Sequence, residues 1–255
     1  MLLNDPFLTL FEPSANAPAL PEKFTFLINR QPHPLCRLAA EQLQHYLSNQ
    51  DEWQHNFGLL GHQEGTVIGK MFGVLVVKTQ QHELGYLAAF SGKLAGGNDH
   101  ARFVPPIYDA LTENSFLNNG MQELARINQE IAVLQSSKEK AGINELKAVR
   151  KMHSTALQQQ LFDQYHFLNR LQETKSLREL FQEASYKNPP SGAGECAAPK
   201  LLQYAFRHEL KPVALAEFWW GQSPKSAYWK HGHFYDPCQE KCAPILAHML
   251  HRIDD

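Results

Sequence analysis

Three cysteines in the last quarter of the chain have the spacing and setting for chemistry. Cys238 and Cys242 stand four apart, and Cys196 lies on the other side of an apolar run. Cys196 falls just before one expected helix and Cys238 and Cys242 at the start of another, and unpaired N–H groups and the positive dipole end there favour thiolates. Two thiolates in C-x3-C spacing and a third across a strand offer three tetrahedral positions to zinc, at about 2.3 Å each. The fourth position is left for water or for a histidine, His231 or His233. The set expected on this reading is Cys196, Cys238, Cys242 and His233, with Glu195 as catalytic proton carrier. The alternative for the same residues is three ordinary thiols in helix N-terminal turns. Cys36, on an apolar helix face, is expected to be buried as a small hydrophobe.

A second cluster is aromatic. Phe218, Trp219, Trp220, Tyr228, Trp229, Phe234 and Tyr235 crowd a short stretch with Lys225, Lys230, His231 and His233. Aromatic faces beside cations can stack bases and hold phosphates, so Trp220, Lys225, Trp229, Lys230 and His231 are candidate RNA contacts. The competing reading is that alternate members of the Phe-Trp-Trp run face a core. The string WWGQSPKSAYWKHGH is broken by glycine and serine and reads as an exposed loop.

The elements that must hold these residues follow from periodicity. Apolar spacing of three and four predicts a helix from Pro34 to about Ser48. Val67–Val77 and Glu83–Gly92 read as two strands joined through KTQQH, and Phe24–Arg30 as a short extended segment. From Phe116 to Phe181 there is no proline, and apolar steps of three and four continue through Tyr165 and Leu168. With SSKEKAG as a turn, this predicts an antiparallel hairpin of two long helices. Lys138, Lys140, Lys147, Arg150 and Lys151 give that arm a basic side suited to RNA, and its apolar stripe makes a homodimer a further expectation. Ala197–Leu210 reads as a helix, Lys211–Gly221 as a buried strand, His231–Pro237 as extended, and Cys242–Ile253 as a closing helix. The expected division is a leader over 1–22, an α/β part over 23–113, the hairpin insertion over 114–186 and a cysteine-bearing α/β part over 187–255.

The whole chain has 255 residues, is 43% hydrophobic and carries a formal net charge of −2, so it can bury a real core. No global positive field drives it onto nucleic acid, and any such contact rests on a local patch. The start, MLLNDPFLTLFEPSANAPALP, lacks the pattern of a signal peptide, and no apolar run reaches the roughly 20 residues of a membrane span. Four cysteines this unevenly spread suit thiols in a reducing compartment, so a cytoplasmic protein without membrane contact is expected.

The order of a helix, two strands, a helix opening at SGAGECAAPKLL, a strand and a helix at DPCQEKCAPIL resembles the zinc-dependent cytidine deaminase-like fold. That resemblance implies an α+β body with an α/β-type three-layer core, interrupted by the hairpin, and a zinc-dependent hydrolase as one function. The spacing departs from that family, whose glutamate follows its ligand by two residues and whose paired cysteines have two residues between them. A broader resemblance runs over nearly the whole chain. The strings INRQPHPLCRLAAEQLQ, GKMFGVLVV, GYLAAFSGKLAGGNDHARFVPPIYD, ALQQQLFDQYHFLN, PPSGAGECAAPKLLQYA and AEFWWGQSPKSAYWKHGHFYDPCQEKCAPILAHML are similar to the N-terminal extension of long-form RluA-type pseudouridine synthases. It implies an accessory module for uridine isomerisation in rRNA or tRNA, with the catalytic aspartate in a domain not found in this chain. HRIDD resembles the family's catalytic motif only superficially, since Asp254 ends a helical run without a surrounding sheet and cleft. A structural, dimerising protein is the third expectation.

Overall fold

The computed structural model describes residues 5–12, 18–28, 31–61, 64–112, 115–137, 142–223 and 228–255. The first elements are β1 (Thr9–Leu10), β2 (Leu27–Ile28), β3 (Gln31–Pro32), α1 (Pro34–Asn49), β4 (Lys70–Lys78) and β5 (Leu84–Phe90). Next come α2 (Phe116–Ser136), α3 (Ile143–Phe162), β6 (His166–Leu168), β7 (Thr174–Ser176) and α4 (Leu177–Glu183). The last quarter holds α5 (Ala197–Arg207), β8 (Lys211–Trp220), β9 (Phe234–Tyr235) and α6 (Ala243–Met249).

The apolar runs around Phe72–Val77 and Tyr86–Phe90 pair antiparallel, and β8 joins the other side of β4, giving the order β1-β5-β4-β8-β9. Both faces of this sheet are covered, which is why the strands read as continuous apolar runs instead of alternating ones. Phe72, Val74, Val76, Ala216 and Phe218 face α1, which buries Leu35, Cys36, Ala39, Ala40, Leu43 and Leu47 against them. Helix α1 starts sharply because Pro34 needs no N–H there and His33 Nδ1 accepts from Leu35 N–H at 3.2 Å. Leu75, Val77, Leu87 and Leu215 point the other way, into a core shared with α4, α5 and α6. Burial of one such side chain stabilises the fold by roughly 1.5–3 kcal/mol.

Gly73 sets how closely α5 approaches. A Cβ there would lie 2.9 Å from Ala197 Cβ and 3.0 Å from Leu201 Cδ1, so only glycine lets the N-terminal turn of α5 rest on β4. In the arm, Gly120 near the start of α2 lies against Leu157 near the end of α3, so the two helices run antiparallel, with Ile127 and Ile131 buried. Residues 138–141, in the stretch where a turn was expected, lie outside the described residues, Lys138 and Lys140 with them.

The mixed α+β composition agrees with the sequence, but several element boundaries do not. Helix α3 stops at Phe162, whereas the stripe was expected to continue through Tyr165 and Leu168. Asn169 explains the change: its side-chain oxygen accepts from Glu173 N–H at 2.9 Å and its own N–H donates to the Glu173 carbonyl at 3.1 Å. Those bonds close the β6–β7 hairpin, with Gln172 left-handed at φ 63°. The last helix is also shorter than expected, ending at Met249, with turns and a left-handed Arg252 after it. Part of the leader packs on the core: β1 pairs with β5, and Phe7 and Leu8 lie against buried residues.

Candidate functional site

Two features converge at the end of the sheet where α5 and α6 begin. Cys196 is the N-cap of α5 and half-buried, and Cys242 is the N-cap of α6 and fully buried. Cys196, burial, and Glu217 and Cys238 nearby push the Cys242 thiol well above the ordinary thiol range. Cys238 is exposed and accepts from Lys241 N–H at 3.4 Å. Cys36 is buried on α1 as expected, its thiol pushed up to about 12 by burial.

The expected metal set is not assembled in this arrangement. His233 is exposed beyond the sheet edge, where its backbone oxygen accepts from Trp219 N–H at 3.0 Å. His231 instead holds the turn after β8, its Nδ1 accepting from Gly221 N–H at 3.1 Å. Among the described residues, no group of three or more His, Cys, Asp or Glu is placed to hold a metal ion.

Glu195 lies on the opposite flank of the α5 start. Tyr165 Oη donates to its Oε1 at 3.4 Å, and burial first, then Glu195, pushes that phenol up. Lys200, one turn into α5 and 4% exposed, donates to the carbonyl oxygens of Phe90 at 2.9 Å and Gly92 at 3.2 Å. Burial drives its ammonium down to about 8, against the pull of Glu195 and Cys196. The cleft lined by Tyr108, Tyr165, Gly194, Glu195 and Lys200 measures about 20 Å³, room for roughly one water. It is too small for a nucleobase.

The group that sequence reasoning missed is Glu217. It points from β8 to the α5 side, 4% exposed, and its Oε1 accepts from Ala198 N–H at 3.1 Å. Burial pushes its carboxyl up to about 7, while the helix N–H works the other way. Ser91 Oγ takes the neighbouring Ala197 N–H at 3.2 Å, so two of the free N–H groups of α5 are satisfied from the sheet. The signal was available: Glu217 is the only acidic residue within the run KPVALAEFWW, and Lys200 the only charge in AAPKLLQYAF.

The aromatic cluster divides across the sheet. Strand alternation sends Trp220 to the α1 side, where it is buried beside Phe218 and His231, so the expected contact of Trp220 with RNA is replaced by a core role. Trp219 points away from that core and stacks on Trp229, with centroids 5.4 Å apart and planes at 22°. Tyr235 meets Trp229 at 4.6 Å, and Tyr228 meets both of them while remaining 66% exposed. Tyr235 Oη fixes the loop, donating to the Tyr228 carbonyl at 2.9 Å and accepting from Lys230 N–H at 2.7 Å. Lys230 and His231 are exposed beside this platform, and Lys225 lies outside the described residues. On the arm, Lys147, Arg150 and Lys151 are exposed along α3, as are Val149 and Met152. Among the described residues, no helix is long and apolar enough to cross a membrane. No protein-family model, curated protein or solved structure matches this chain.

Proposed function

We propose that this chain is an RNA-associated accessory module, the region that precedes the catalytic domain in long-form RluA-type pseudouridine synthases, and that it holds unpaired bases on the aromatic platform. In this reading the sheet with α5 and α6 forms a deaminase-like body, and α2 and α3 are a hairpin inserted into it. One observation carries the proposal: Trp219, Tyr228, Trp229 and Tyr235 form a connected aromatic surface beside Lys230, outside the core. Aromatic faces of this kind stack bases without regard to sequence, which suits a module that positions RNA and leaves selection to a catalytic domain. With a net charge of −2, electrostatic help comes locally, from Lys230 and from the basic side of α3.

The module does not isomerise uridine by itself. Asp254 is exposed, and its Oδ1 accepts from Phe24 N–H at 2.6 Å, a structural tie between the chain's end and its early segment. The test is binding of a single-stranded oligoribonucleotide, followed by tryptophan fluorescence. Tyr228→Ala with Trp229→Ala is expected to weaken binding about 5- to 150-fold for each stacked base lost. Lys147→Ala with Lys151→Ala is expected to act mainly through the salt dependence. Unchanged affinity in the aromatic double variant removes the platform from the proposal.

A further inference from the structure

The open edge of the sheet at β1 is a surface that the RNA reading neither uses nor depends on. Strand β1 is the outermost strand, at the edge opposite β9 and the aromatic platform. Phe11 N–H donates to the Leu84 carbonyl at 2.9 Å, and Leu10 stands opposite Gly85. In an antiparallel ladder the residue beside such a donor turns its own N–H and C=O outward, so both of these groups of Leu10 point away from β5. No described residue pairs with them, and the Leu10 side chain is 47% exposed. An edge of this kind is a template for a further strand.

A groove of about 1480 Å³ runs between this edge and α1. Its helical wall is a second face of α1, on which Leu38, Glu41, His45 and Asn49 follow one another in steps of three and four. From Leu38 to Asn49 that wall is about 16 Å long, the length of roughly five extended residues. Phe11 and Tyr86, with ring centroids 5.6 Å apart, give the groove an apolar floor. The volume is above the range of about 300–1,000 Å³ of small-molecule pockets, and a strand edge facing a helix suits an extended chain. Its charge is acidic. Glu12, Glu41 and Glu83 line it against one guanidinium, Arg102, which lies over the Tyr46 ring at 4.8 Å, with the histidines counted neutral. Among the described residues none of these three carboxylates is in an ion pair.

We propose that this groove binds an extended, basic segment of a partner protein, which adds a strand to the sheet beside β1. Its backbone bonds to the outward N–H and C=O of Leu10, and every second side chain points to the α1 wall. Lys or Arg side chains along it meet Glu12, Glu41 and Glu83. The same carboxylates repel a phosphate backbone, so the partner protein and RNA dock at opposite edges of the sheet.

The test is selection of a phage-displayed random heptapeptide library on the immobilised full chain, then binding of the enriched peptides in solution with hydrogen exchange. Enriched sequences are expected to alternate apolar residues with Lys or Arg, and the bound peptide is expected to slow exchange at the Leu10 amide. Leu10→Pro removes the outward N–H and no bond to β5. Glu41→Lys with Glu83→Lys reverses the charge at two exposed positions. Each change is expected to weaken peptide binding at least about tenfold, while Tyr228→Ala with Trp229→Ala leaves it unchanged. No enrichment, enrichment of acidic peptides, or unchanged affinity in either groove variant overturns the proposal. So does displacement of the peptide by a single-stranded oligoribonucleotide. Protection of Leu10 that grows with protein concentration and without peptide assigns the edge to a second copy of this chain and overturns it too.

Discussion

Glu217→Gln isolates the most perturbed carboxyl among the described residues. The amide keeps the shape and an oxygen able to accept from Ala198 N–H, but it cannot ionise. In the folded chain the Glu217 carboxyl titrates near about 7, against 4.5 for an unburied glutamate, so the folded state holds this proton more tightly than the unfolded chain. The sign follows from that order. The stabilising contribution of protonated Glu217 is fully present below about pH 4.5 and is lost as pH rises to about 7. The slope is about 1.4 kcal/mol per pH unit, and about 3 kcal/mol is gone above that window. Because the side chain is 4% exposed, solvent screening removes little of this. Glu217→Gln escapes the loss, so it is expected to gain on the wild type by about 3 kcal/mol between about pH 4.5 and pH 8. Urea unfolding of both proteins at several pH values, with equal slopes, gives the difference directly. A gap between variant and wild type that does not change with pH refutes the reasoning, because Glu217 then holds its proton no more tightly in the fold than in the unfolded chain.

Other perturbations test the packing that positions the site. Gly73→Val forces a branched side chain onto Ala197 and Leu201, and a loss of at least 1–3 kcal/mol in urea unfolding is expected from overpacking. Gly120→Val overlaps Leu157 and is expected to speed hydrogen exchange over α2 and α3 while protection in β4 and β8 stays unchanged. Ser176→Ala removes the capping box in which Ser176 and Glu179 satisfy each other's backbone N–H groups, and should cost about 1 kcal/mol.

How much of this was legible depends on whether a signal was local. The helix at Pro34 and the paired strands around Val74 and Leu87 were readable because period and turn residues lie within the segments themselves. The arm was readable as two helices, but its end was not, since Asn169 redirects the chain with two hydrogen bonds that leave the apolar spacing intact. Helices start at Cys196 and Cys242 as expected, but Cys238 lies in the segment before α6, and how α6 docks against α5 is not written in either stretch. The spacing of Cys238 and Cys242 carries no information on that, and the structure buries Cys242 while Cys238 is turned to solvent. Trp219 and Trp220 show the same limit: alternation assigns them to opposite faces, but the buried face is decided by α1, far away in sequence. Glu217 was passed over because a lone charge in an apolar strand becomes significant only when its partner, the start of α5, is known.

The measurement that bears most directly on the proposed function is photo-crosslinking of the full chain to an RNA hairpin with an unpaired loop, followed by peptide mapping. The account predicts adducts on the peptide carrying Tyr228, Trp229 and Tyr235, at loop nucleotides and not at the paired stem. Adducts confined to the α3 peptides around Lys147 and Lys151, or adducts equally frequent on stem and loop, contradict a stacking platform and leave at most a charged surface for RNA.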